Sequence, residues 1–75
     1  MTKETIGFIG LGDMGLCMAR NLIGAEFDVI GFDLREERLE LLDQAGGRRG
    51  LSPAEVGTDA EAVFIMVMTG QQAEQ

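Results

Sequence analysis

A chain of 75 residues holds at most one domain, since domains run to roughly 100 to 200 residues, and part of a domain is the expectation. Hydrophobic residues at 45% and charged residues at 25% exclude an intrinsically disordered chain, while the absence of His and the single cysteine, Cys17, exclude an internal disulfide, a zinc finger and a redox CxxC. A net charge of −7 opposes phosphate backbones and anionic lipid, so neither nucleic acid nor a membrane surface is an expected partner, and any phosphate bound here must be held by backbone.

The opening MTKETIGFIGLG has no apolar run of signal-peptide length before glycine interrupts it, which makes the cytoplasm the expected compartment. Thr5 to Ile9 is short, apolar and β-branched at both ends, as a buried strand requires. From Asp13 to about Ala25, the positions Met14, Cys17, Met18, Leu22 and Ala25 recur at spacings of three and four and predict an amphipathic helix, weakened at its last turn by Gly24. On that face Cys17 is expected to be an inert buried thiol, and Met14, Met18, Met66 and Met68 to fill core.

Asp28 to Phe32 predicts a second strand, ending at Asp33. Arg35 to Ala45 predicts a second helix with Leu39 and Leu42 inward, the charged run Arg35 to Glu40 forming its solvated face, and Gly46 and Gly47 stopping it. Gly47 to Leu51 has the place of a very short third strand, although Arg48, Arg49 and Gly50 weigh against one. Ser52 with Glu55 forms a capping box and Pro53 opens a third helix. Ala62 to Met68 is an unbroken apolar run suited to a strand covered on both faces. The order βαβα(β)αβ predicts an α/β fold, a partial Rossmann fold with a parallel sheet.

Gly10, Gly12 and Gly15 spell G-x-G-x-x-G at the junction of the first strand and first helix. In that motif the first glycine permits a tight turn, the second lets backbone approach a pyrophosphate, and the third lets the helix lie close to the strand. The first-turn N–H groups and the helix dipole then offer an anion site without a basic side chain. Asp33 stands roughly 20 residues on, at the end of the second strand, where a carboxylate accepts from the hydroxyls of an adenosine ribose and repels a 2′-phosphate. NAD is therefore expected over NADP, with Arg35 and Arg38 close by. Asp13 is expected to point to solvent, since an inward carboxylate would repel the pyrophosphate.

The string IGFIGLGDMGLCMARNLIGAEFDVIGFD, with its GLGxMG and MAxNL segments, followed by SPAEV and VFIMV, resembles the β-hydroxyacid dehydrogenases, the family of 3-hydroxyisobutyrate dehydrogenase and tartronate semialdehyde reductase. The resemblance runs from about Ile6 to Met68. It implies a cofactor bound along Gly10, Leu11, Gly12, Asp13, Met14 and Gly15, at Asp33 and Leu34, and by the loop ending the last strand, where many members carry Met-Leu-Pro and this chain has Met66, Val67 and Met68. With Thr69 and Gly70 following, that departure looks more like members acting on four-carbon sugar acids such as threonate. The family's Ser-Gly-Gly segment and catalytic lysine lie further along, the lysine at the junction with a helical second domain. Residues 1–75 are thus expected to be the N-terminal part of the dinucleotide-binding domain, inactive alone, with no catalytic residue to nominate and a homo-oligomer expected for the whole enzyme. Two other readings share the motif: an NAD-sensing regulatory module, and a truncated domain that binds nothing.

Overall fold

The computed structural model describes residues 4–66. Elements follow in the order β1 (Thr5–Ile9), α1 (Asp13–Gly24), β2 (Asp28–Phe32), α2 (Glu36–Ala45), β3 (Arg48–Arg49), α3 (Pro53–Asp59) and β4 (Ala62–Ile65). The four strands form one parallel sheet of order β3-β2-β1-β4. This is the arrangement with which a Rossmann fold of order 3-2-1-4-5-6 begins. The chain is an α/β fold of Rossmann type. Its order reverses between β1 and β4, and ligands of open α/β sheets bind at such a switch point, outside the carboxyl ends of the strands.

Period-two alternation divides the sheet between two helical layers. Ile6, Phe8 and Val29 join Leu11, Leu16, Ala19, Leu39 and Leu42 in the main core, so α1 and α2 cover one face. Buried Ile30 belongs to the opposite face, where Gly7 and Gly50 make room for the fully buried Val56 of α3. The α3 helix starts with the forward bond of a capping box, Ser52 Oγ accepting the Glu55 N–H at 3.1 Å, while Glu55 Oε1 reaches one residue past the cap and accepts from Leu51 N–H.

Three expectations are corrected. The buried residues of α1 are Gly15, Leu16 and Ala19, with Met18, Leu22 and Ile23 packed beside them; Met14 is 70% exposed and Cys17 is exposed too. The physical reason is close approach: the helix turns its smallest residues, Gly15 and Ala19, to the sheet, and the larger Met14 and Cys17 rotate outward. Secondly, α2 begins at Glu36, with Arg35 as its N-cap, and Arg35 and Arg38 turn back onto carboxylates while Glu36, Glu37 and Glu40 face solvent.

The third correction concerns β4, which is not covered on both faces: Phe64 is 39% exposed and Ile65 66%. Among the described residues β4 is the last strand on its side of the sheet, and Phe64 packs onto β1, its ring meeting Phe8 edge-on at 5.3 Å. The backbone ladder continues one residue past β4, Met66 N–H donating to Ile9 C=O. Val67 and Met68 lie outside the described residues.

The short strand β3 exists despite its two arginines because each finds carboxylates. Arg48 reaches Asp28 at 3.0 Å and Asp59 at 3.7 Å, and Arg49 reaches Glu36 and Asp43, both at 2.7 Å.

Candidate functional site

The turn from β1 into α1 is built on Gly10. Its φ is +99°, a left-handed conformation that costs side chains energy, and a Cβ there would run into the Met66 carbonyl oxygen. Its N–H donates to Phe32 C=O at 2.8 Å, joining the turn to the end of β2. Gly15, one turn into α1, has its own close approach: a Cβ would lie 2.9 Å from the Gly10 carbonyl oxygen. The first and third glycines of the motif thus perform the turning and packing tasks expected of them.

Gly12 occupies the N-cap of α1 with φ −69° and ψ −173°, and no side chain caps the helix there. The first-turn N–H groups of a helix have no intrahelical partner and carry the positive end of its dipole. Asp13 meets the dipole from outside: its carboxylate is almost fully exposed and pairs with Arg38 Nη1 at 3.1 Å, so it points away from the turn as expected. Arg38 bridges α2 to α1, and its Nε is buried.

Asp33 is the buried charged residue of the site. Its Oδ2 accepts from the Leu11 N–H at 2.7 Å and from Arg35 Nη2 at 3.0 Å; its Oδ1 accepts from the Arg35 N–H at 2.8 Å and from Arg35 Nε at 2.9 Å. Burial disfavours ionisation, but the hydrogen bonds of the Arg35 guanidinium, the Arg35 N–H and the Leu11 N–H outweigh it and bring the carboxyl from 3.8 down to about 2. Asp33 is therefore ionised at any physiological pH.

The other expected residues divide by role. Leu11 is fully buried in the core, so its side chain cannot face a ligand and its N–H is engaged by Asp33. Met14, 70% exposed, lies in the first turn of α1 among the motif glycines, and Leu34, 91% exposed, lies on the turn after β2 beside Asp33. Arg35 is the residue that sequence reasoning underrated. Its signal was its position two residues after Asp33, where a residue capping the next helix can curl its side chain back.

The arrangement suits a dinucleotide: a turn with no side chain at the helix N-cap, a close-packed helix start, and a buried ionised carboxylate on the adjacent strand end. Among the described residues no group of three His, Cys, Asp or Glu side chains is placed to hold a metal ion, and no helix is long and apolar enough to cross a membrane.

Comparison with known proteins gives the same direction. A family profile described as the NAD binding domain of 6-phosphogluconate dehydrogenase matches residues 5–75. L-threonate dehydrogenase of Cupriavidus necator is 45% identical over 72 residues, covering 96% of this chain and 24% of that protein. The mitochondrial 3-hydroxyisobutyrate dehydrogenase of Mus musculus is 35% identical over 72 residues, 96% of this chain and 22% of that one. Among solved structures, Mycobacterium tuberculosis 3-hydroxyisobutyrate dehydrogenase with L-serine matches with a TM-score of 0.82 at 35% identity, over 88% of this chain and 23% of that one. The chain spans about a quarter of the length of the curated relatives it matches. Sheet order, glycine turn, acidic strand end and these matches agree: the chain belongs to the β-hydroxyacid dehydrogenase family, as a nicotinamide-dinucleotide-binding part of it.

Proposed function

We propose that the full-length protein is an NAD-dependent dehydrogenase of a small hydroxy acid, and that these residues begin its dinucleotide-binding domain, with the rest of that domain and a helical second domain further along. The observation that carries the reading is the Leu11–Asp33 hydrogen bond of 2.7 Å, which joins the glycine turn and the acidic strand end into one unit. In this reading the Gly10 to Gly15 backbone holds the pyrophosphate at the N-terminus of α1, Asp33 holds the adenosine ribose, and Leu34, Met14, Val67 and Met68 border the cofactor. The bound cofactor supplies the hydride chemistry; these residues bind and orient it. Preference for NAD over NADP rests on the charge of Asp33.

A four-carbon sugar acid such as L-threonate is the favoured substrate class. Its support is the 45% identity to an L-threonate dehydrogenase and the sequence Met66, Val67, Met68, Thr69 that follows β4 in the chain. A 3-hydroxyisobutyrate-like substrate is the second reading, favoured by the solved dehydrogenase structure that matches this fold.

Isothermal titration of full-length protein with NADH, beside its Gly12→Val variant, tests the binding site. Gly12 has φ and ψ that valine also adopts, so the fold should survive while the added methyl groups take the space of the pyrophosphate. Loss of NADH binding in the variant alone is the expected outcome; equal affinity in both would place the cofactor elsewhere. NADH production with L-threonate against 3-hydroxyisobutyrate then separates the two substrate readings.

A further inference from the structure

An ionised carboxylate offers about four lone-pair positions, and at Asp33 four donors already engage them. Two of those donors are backbone N–H groups, of Leu11 and Arg35, fixed by the turn after β1 and by the N-cap of α2. The other two are Nε and Nη2 of one guanidinium, on a side chain 38% exposed. A ribose presents two vicinal hydroxyls. Both can be accepted by Asp33 only if the Arg35 guanidinium leaves, and its departure frees the number of positions those hydroxyls need.

We propose that Arg35 is the specificity-determining residue of the ribose subsite, acting in opposite directions on the two nicotinamide dinucleotides. This rests on the assignment of Asp33 to the adenosine ribose. Toward NAD, Arg35 is a competitor that must be displaced from Asp33 before the ribose can bind. Toward NADP, it is an asset: it sits against the carboxylate that would otherwise repel a 2′-phosphate, and a guanidinium moved outward from Asp33 is a planar, permanently charged donor for that phosphate. Arg38 is engaged elsewhere, its Nη1 pairing with Asp13 at 3.1 Å.

The test is isothermal titration of the full-length protein with NAD and with NADP, for wild type, Arg35→Met and Arg35→Lys. Methionine keeps the apolar stem and removes the charge. In Arg35→Met the NAD dissociation constant should fall on the order of threefold, the scale of a partly exposed ion pair. The NADP constant should rise on the order of tenfold through loss of a charged phosphate donor. Arg35→Lys keeps a cation without the two-pronged clamp, so it should tighten NAD while leaving NADP within a fewfold of wild type. Affinities for both cofactors that move together, or an unchanged ratio between them, would overturn the proposal and leave Arg35 a structural cap of α2. A wild type that binds neither dinucleotide overturns the assignment of the site itself.

Discussion

Asp33 Oδ2 accepts the Leu11 backbone N–H at 2.7 Å, so the residue that ends β2 braces the turn that follows β1. Three further hydrogen bonds, all from Arg35, hold the same carboxylate ionised. The folded carboxyl titrates near 2 rather than 3.8, so its ionised form favours the folded state. That contribution is whole above about pH 5, fades as the pH falls through 3.8 toward 2, and is absent below both values. Asp33→Asn should therefore cost about 2 kcal/mol at pH 7 and much less near pH 2. Urea unfolding of wild type and variant across this range checks the prediction; a pH-independent difference would contradict it.

Among the described residues Gly10, Glu26 and Gly46 hold positive φ, and the first two predict opposite outcomes. Gly10→Ala places a side chain in a left-handed conformation and against the Met66 carbonyl oxygen, so it should cost more than about 2 kcal/mol. Its effect is read as a lowered urea midpoint with the slope unchanged.

Glu26 holds φ +73° where α1 ends, with Glu26 N–H donating to Ile23 C=O and Phe27 N–H to Leu22 C=O, the bonding of a Schellman turn. At the matching place after α2 the chain uses Gly46, at φ +103°. Glu26→Gly should therefore stabilise the fold by about 0.5 to 1 kcal/mol, visible as a raised thermal midpoint.

Most of this fold is legible in the sequence because β1 and β2 are short apolar runs closed by Gly10 and Asp33, α2 stops at Gly46, and Ser52 and Pro53 open α3. The exposed side of α1 was not. Spacings of three and four fit both the row through Met14 and Cys17 and the row through Leu16 and Ala19, and the sheet's need for small residues, invisible in periodicity, selects the second. The strand β3 was ambiguous because its support lies in Asp28, Asp59, Glu36 and Asp43, distant in sequence. At the site, G-x-G-x-x-G and Asp33 could be read from spacing, whereas the two-pronged hold of Arg35 on Asp33 depends on how the chain turns into α2.

The two sides of the sheet differ in how they end. The β3 side has two residues, both arginine, which is a protected edge, while β4 on the other side, among the described residues, presents Phe64 and Ile65 with no charge between Ala62 and Met66. Produced as these 75 residues alone, the chain should self-associate through Val63 to Met66, and Ile65→Lys should shift it toward monomer. Sedimentation velocity over a concentration series reads this directly; a wild-type chain that stays monodisperse at high concentration would contradict it.

Whether the turn after β1 and the carboxylate after β2 hold one dinucleotide together is measured most directly by a crystal structure of the full-length protein with NAD. Pyrophosphate oxygens should lie against the backbone N–H groups at the start of α1, ribose hydroxyls on both oxygens of Asp33, and the Arg35 guanidinium should be swung away. Cofactor bound elsewhere, or bound here with Arg35 still clamped on Asp33 by both nitrogens, would contradict it.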